Sequence, residues 1–104
     1  MEQTATIYQD KNGKTICLGD TIEVIGRLKI ARRFVVFEDN DETVRLDQSG
    51  NRTALIYPPL HAGRFYPEDH RVIQCSISEL QEWNAEADRA IQQRLNTINQ
   101  RAVA

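Results

Sequence analysis

The C-terminal segment constrains the fold more than any other stretch. From Ser76 onward the chain is mostly Ala, Glu, Gln, Arg and Leu, whereas everything before it is rich in β-branched residues and turn formers. Stepping 100° per residue puts Leu80, Trp83, Ala87, Ala90, Ile91, Leu95, Ile98 and Ala102 in one stripe about 140° wide. Ser76 and Glu79 have the spacing of a capping box, with Ser78 as a rival cap. The stripe drifts with a 3.6-residue period, which favours packing on a domain over a coiled coil.

About 24 such residues make a rod of roughly 36 Å, whereas a compact domain of this size has a radius of gyration of about 13 Å. The rod is longer than one small domain can cover. Either its last turns stand bare, or a second copy of the chain packs on them. A homodimer through the C-terminal helix is the expectation, with Leu80, Trp83, Ile91, Leu95 and Ile98 in self-association or helix packing. Trp83, the only Trp, reads as helix-to-sheet packing, with an exposed interface anchor as the alternative.

The preceding residues read as short strands. Thr4–Tyr8 and Thr15–Leu18 flank Asp10-Lys11-Asn12-Gly13-Lys14, in which Asn-Gly is a hairpin signal because both residues tolerate positive φ. From Ile22 the alternation is clean: Ile22, Val24, Leu28, Ile30, Phe34 and Val36 fall on one parity, and Thr21, Glu23, Arg27, Lys29 and Arg33 on the other. That predicts one or two half-buried strands, bent at Gly26 or near Ala31. Further strands are expected at Thr43–Asp47, Arg52–Tyr57 and Arg71–Cys75, with an acidic turn over Glu38–Glu42. That turn lacks the glycine and closing Glu of a calcium loop. The expected fold is a single α+β domain over 1–104. A small antiparallel β-barrel or bent sheet of SH3-like size would occupy about 4–75, followed by one long amphipathic helix over about 77–102.

Composition narrows the function classes. Thirteen Lys+Arg against fifteen Asp+Glu removes the electrostatic argument for a DNA-coating protein. No apolar run reaches membrane-spanning length, and the N-terminal residues lack a signal layout, so the expectation is a cytoplasmic protein with no membrane partner. With no signal layout, Cys17 and Cys75 read as reduced thiols, and neither sits in a C-x-x-C, which excludes a zinc ribbon or thioredoxin-like motif on spacing.

Two constellations could carry chemistry. Arg27, Lys29, Arg32, Arg33 and Arg45 form the one basic grouping, and could meet nucleic-acid phosphates while Phe34 or Tyr57 stacks bases. The bland alternative is a solvated strand face. The long Pro58–His70 loop holds His61, Arg64, Tyr66, Asp69 and His70 as candidate ligand-binding residues, with Tyr57 just before it. Two imidazoles beside a carboxylate could also serve acid–base chemistry. The His-x8-His spacing fixes no metal geometry, and no catalytic set, P-loop or dinucleotide pattern appears, so neither cofactor nor metal is expected.

The stretches Asp10–Ile16, Gly19-Asp20-Thr21-Ile22 and Val35–Asp39 resemble a pattern in YopX-like proteins, small proteins of phages and mobile elements. There, D-x-N-G-K-x-I followed by G-D-x-I/V opens a small β-barrel. The match covers residues 10–39 and is mostly turn chemistry, with Cys17-Leu18 where an aromatic-acidic pair is more usual. The resemblance implies a bacterial mobile-element origin and a barrel, and carries over no catalytic residues. The leading expectation is a non-enzymatic binding or interaction module, with a protein partner or self-association. A nucleic-acid binder and a small enzyme at the loop are the alternatives.

Overall fold

The computed structural model describes residues 4–39, 43–51, 60 and 62–103, and all of their side chains except those of 27, 62 and 101–103. The fold is α+β: two antiparallel sheets and one long C-terminal helix. Strands β1 (Ala5–Gln9) and β2 (Thr15–Cys17) form a two-stranded sheet. Strands β3 (Thr21–Ile25), β4 (Ala31–Glu38), β5 (Val44–Asp47) and β6 (His70–Ile73) form the second, in the order β5-β4-β3-β6. Among the described residues these sheets do not close, so the expected barrel gives way to the bent-sheet alternative. The strand expected at Arg52–Tyr57 lies outside the described residues.

The clean alternation after Ile22 turns out to be two strands reversed by a tip. Ile22 pairs with Phe34, Glu23 with Arg33, Val24 with Arg32, and Ile25 with Ala31. Arg27, Leu28 and Lys29 form a 3-10 turn, in which Leu28 and Lys29 adopt positive φ of 58° and 59°. Side chains pay roughly 1–2 kcal/mol for that conformation. The Gly26 N–H donates to the Ile30 carbonyl at 3.2 Å, and Arg94 Nη1 donates to the Leu28 carbonyl at 2.6 Å. The chain thus takes the two-strand alternative, broken between Gly26 and Ala31, with Leu28 and Ile30 outside the register that Ile22 and Val24 keep.

Packing separates the two faces of the larger sheet. Ile22, Phe34, Val36 and Leu46 are buried against Tyr8 and Ile16 of the β1–β2 hairpin, with Leu18, Val24, Val44, Leu60, Phe65 and Val72 around them. The hairpin turn also seals the outer edge of β6. The Lys11 N–H donates to the His70 carbonyl at 2.9 Å, and the Val72 N–H donates to Asp10 Oδ2 at 2.9 Å. Asp10 Oδ1 accepts the N–H groups of Asn12 and Lys14. One buried carboxylate thus holds its own turn and a neighbouring strand edge, where open backbone groups would invite wrong pairing.

Helix α1 (Ile77–Val103) begins with the expected capping box: Glu79 N–H donates to Ser76 Oγ at 3.1 Å, and Ser76 N–H to Glu79 Oε1 at 3.3 Å. Its first turns dock on the turn after β5. There Gly50 has φ +76°, which strains any other side chain, and an added Cβ would lie 3.0 Å from Ile77 Cγ2, so that the Ile77 side chain would have to shift. The radius of gyration is 15.0 Å and the longest extent 55 Å, against 30 and 27 Å in the other directions. At 1.5 Å per residue α1 is about 40 Å long, which is the source of that elongation.

Candidate functional site

The Pro/His loop does not present His70 as a reactive group. His70 opens β6, is buried, and stacks on Phe65 with ring centroids 4.1 Å apart; Phe65 in turn lies 4.7 Å from Tyr8. His70 Nδ1 sits 2.7 Å from the Tyr66 carbonyl. A carbonyl only accepts, so Nδ1 carries the proton and donates. Burial lowers the pKa of His70, and the Tyr66 carbonyl and the Asp69 and Glu68 carboxylates oppose that only in part. The Tyr8 hydroxyl donates to the Leu60 carbonyl at 2.8 Å, and burial pushes its pKa up. Arg64 and Tyr66 are exposed and Asp69 is half-buried. Tyr57 and His61 lie outside the described residues. Of this constellation His70 alone joins the Tyr8–Phe65 stack, with its Nδ1–H held by the Tyr66 carbonyl, while Arg64 and Tyr66 stand in solvent.

The basic grouping is dispersed. Arg27 and Lys29 belong to the hairpin tip, while Arg32 and Arg33 point to opposite faces because successive strand residues alternate. That corrects the expectation of one basic strand face over 27–33. Arg32 pairs with Asp88 on α1, and Arg45 Nε lies 2.8 Å from Asp39 Oδ2. Glu23, on the central strand β3, lies in register between Arg71 on β6 and Arg33 on β4, at 3.2 Å and 3.3 Å. Arg32, Arg33 and Arg45 thus each meet a carboxylate within the domain. Phe34, expected as a base-stacking ring, is buried in the core.

The helix carries the most developed surface. Leu80 is 1% exposed and Ala87 is buried, whereas Ile91 and Leu95 are half-buried and Ile98 is 49% exposed. Trp83 is neither core nor free. Its Nε1–H donates to the Ala31 carbonyl at 3.0 Å, the Arg33 guanidinium lies 3.9 Å from the ring centroid, and the residue stays 38% exposed. Ile30, Ala31, Trp83, Glu86, Ala87 and Ala90 line a cleft of about 290 Å³ between the β3–β4 hairpin and α1. Arg71, Glu23, Arg33 and Trp83 thus form one line of contacts across three strands and the helix.

Sequence reasoning passed over Asn84, one turn beyond Leu80 and buried. Its Oδ1 accepts the Arg33 N–H at 2.8 Å, and its Nδ2 donates to the carbonyls of Arg33 at 2.8 Å and Gln48 at 3.0 Å. The available signal was a polar amide inside an apolar stripe. Cys17 and Cys75 are both unpaired and half-buried. Among the described residues no group of three or more His, Cys, Asp or Glu could hold a metal ion, and no helix is long and apolar enough to cross a membrane. Comparison with protein-family models, curated proteins and solved structures finds no match to this chain.

Proposed function

We propose that this protein is a non-enzymatic interaction module that self-associates through the C-terminal part of α1. The observation that carries this reading is Ile98, half-exposed on the stripe whose earlier members Leu80 and Ala87 are buried. Arg94 reaches the hairpin tip, and beyond it the helix runs on to Val103, about 13 Å at 1.5 Å per residue. A two-fold antiparallel pairing would let each tail cover the other's Ile98 and Leu95, using one self-complementary patch. Burying such a side chain contributes about 1.5–3 kcal/mol. The resemblance of the turns over residues 10–39 to those of YopX-like proteins supports a mobile-element origin for such a module.

A nucleic-acid reading has less support, because the arginines it needs at 32, 33 and 45 meet carboxylates within the domain. An enzyme at the Pro/His loop has less still, because His70 is stacked and hydrogen-bonded inward.

Light scattering across a concentration series tests the proposal. The expected result is a dimer at tens of micromolar, weakened by about tenfold or more in Ile98→Glu, a change of about 1.4 kcal/mol. A monomer throughout that range overturns it.

A further inference from the structure

We infer that the cleft between the β3–β4 hairpin and the middle of α1 receives an arginine or lysine side chain from a basic segment of a partner protein. This rests on the reading of the chain as an interaction module, but uses a surface separate from the helix tail around Ile98. The floor is apolar: Ile30, Ala31, Ala87 and Ala90, with Trp83 as one wall. Alanine at 87 and 90 leaves room that a larger side chain would fill. The indole is held in place before any partner arrives, by its hydrogen bond to Ala31 and by Arg33 against the ring. Preorganisation of this kind reduces the ordering cost of binding.

The rim selects the charge. Trp83 and Glu86 also line the adjoining concavity, together with Glu79, Glu82 and Arg89. Three carboxylates stand there against one guanidinium, and that guanidinium is paired with Glu86. A long cationic side chain satisfies both halves, laying its methylenes on the alanine floor while its head stays with the carboxylates in water. A neutral apolar side chain would desolvate the rim without compensation, and an acidic one would be repelled. Arg33 already lies 3.9 Å from the Trp83 ring centroid, so the incoming head group is held by the rim carboxylates and not by the indole face.

Trp83 is the only Trp, so its emission reports on the cleft directly. The full chain is titrated with a short peptide alternating arginine and alanine, and separately with its glutamate–alanine counterpart. The proposal expects a saturable change in emission with the arginine peptide, weakening as salt rises, and none with the glutamate peptide. The Glu82→Lys/Glu86→Lys variant, altered at two exposed positions, should bind the arginine peptide at least about tenfold more weakly while keeping its helical circular dichroism. No saturable response, an equal response to the glutamate peptide, or unchanged affinity in the variant overturns the proposal. Emission that shifts with protein concentration alone means that a second copy fills the cleft, and overturns it as well. In Ile98→Glu the peptide response should persist even where self-association is lost, which separates failure of this proposal from failure of the dimer.

Discussion

The side-chain amide of Asn84 completes the backbone hydrogen bonding of Arg33. β5 pairs with β4 only from Val35 to Glu38, which leaves the Arg33 N–H and C=O facing an empty edge. Asn84 meets both, as a strand residue would, and reaches the Gln48 carbonyl as well. The helix is thereby locked to the sheet by backbone pairing, in addition to the burial of Leu80 and Ala87.

Asn84→Ala should destabilise the fold by about 2–3 kcal/mol, because it strands buried backbone groups without partners. Asn84→Leu should cost at least as much despite filling the space. Gln92→Ala, on the exposed side of the same helix, should stay within about 0.5 kcal/mol of the parent. Urea unfolding midpoints give all three values, and a loss below about 0.5 kcal/mol for Asn84→Ala contradicts the edge-pairing role.

Asp10 should make stability fall in acid. Burial alone would raise its pKa, but the N–H groups of Val72, Lys14 and Asn12, aided by the Lys14 charge, hold the carboxyl below its ordinary value. A lowered folded pKa means that the stabilisation is complete above the unfolded value of about 3.9 and disappears as pH falls through the folded one. The difference in stability between the parent and Asp10→Asn should therefore be largest near neutrality and shrink below about pH 4. Urea midpoints of both proteins across that range measure it, and a difference that does not change with pH refutes the assignment.

His70 should titrate below its ordinary value of about 6.5. The folded chain favours the neutral ring, so the unfolded chain takes up its proton first on acidification. Stability from this site is present above that value and is lost as pH falls through the folded pKa. His70→Phe keeps a ring for Phe65 to stack on and should remove this pH dependence. Proton NMR of the imidazole reads the midpoint, and a value above about 6.5 would show that the carboxylates outweigh burial.

Arg33 and Trp83 should be energetically coupled. A double-mutant cycle with Arg33→Met and Trp83→Leu should return about 0.5–1 kcal/mol at this partly exposed site. Both arms of the cycle lose the Ala31 hydrogen bond equally, so the remainder isolates the guanidinium–indole pair. A coupling energy indistinguishable from zero means that the stacking contributes nothing to stability.

Several features were legible in the residue order because they depend on neighbours a few positions apart. The capping box of Ser76 and Glu79 needs only an i, i+3 spacing, and the Asn12-Gly13 turn needs only tolerance of positive φ. The apolar stripe on α1 follows from a period of 3.6 residues. The break in the alternation at Gly26 and near Ala31 was legible as well, and the tip lies between those two residues. What the residue order did not mark is that Leu28 and Lys29 take positive φ there, since neither is of the Asn-Gly kind. Local logic misled at His70, where a histidine in a proline-rich loop looked available and is in fact stacked against Phe65.

The sequence by itself determined an α+β chain with one helix longer than its domain needs, because periodicity and turn chemistry act within a few residues. Tertiary structure alone decided how charge and polarity are used. Arg32 and Arg33 are adjacent in the chain, yet they face Asp88 on one side of the sheet and Glu23 with Trp83 on the other. Asn84 serves a strand edge fifty-one positions away. Partners so distant are chosen by strand register and by where the helix crosses the sheet edge, and a one-residue slip in that register would exchange every one of these contacts for another.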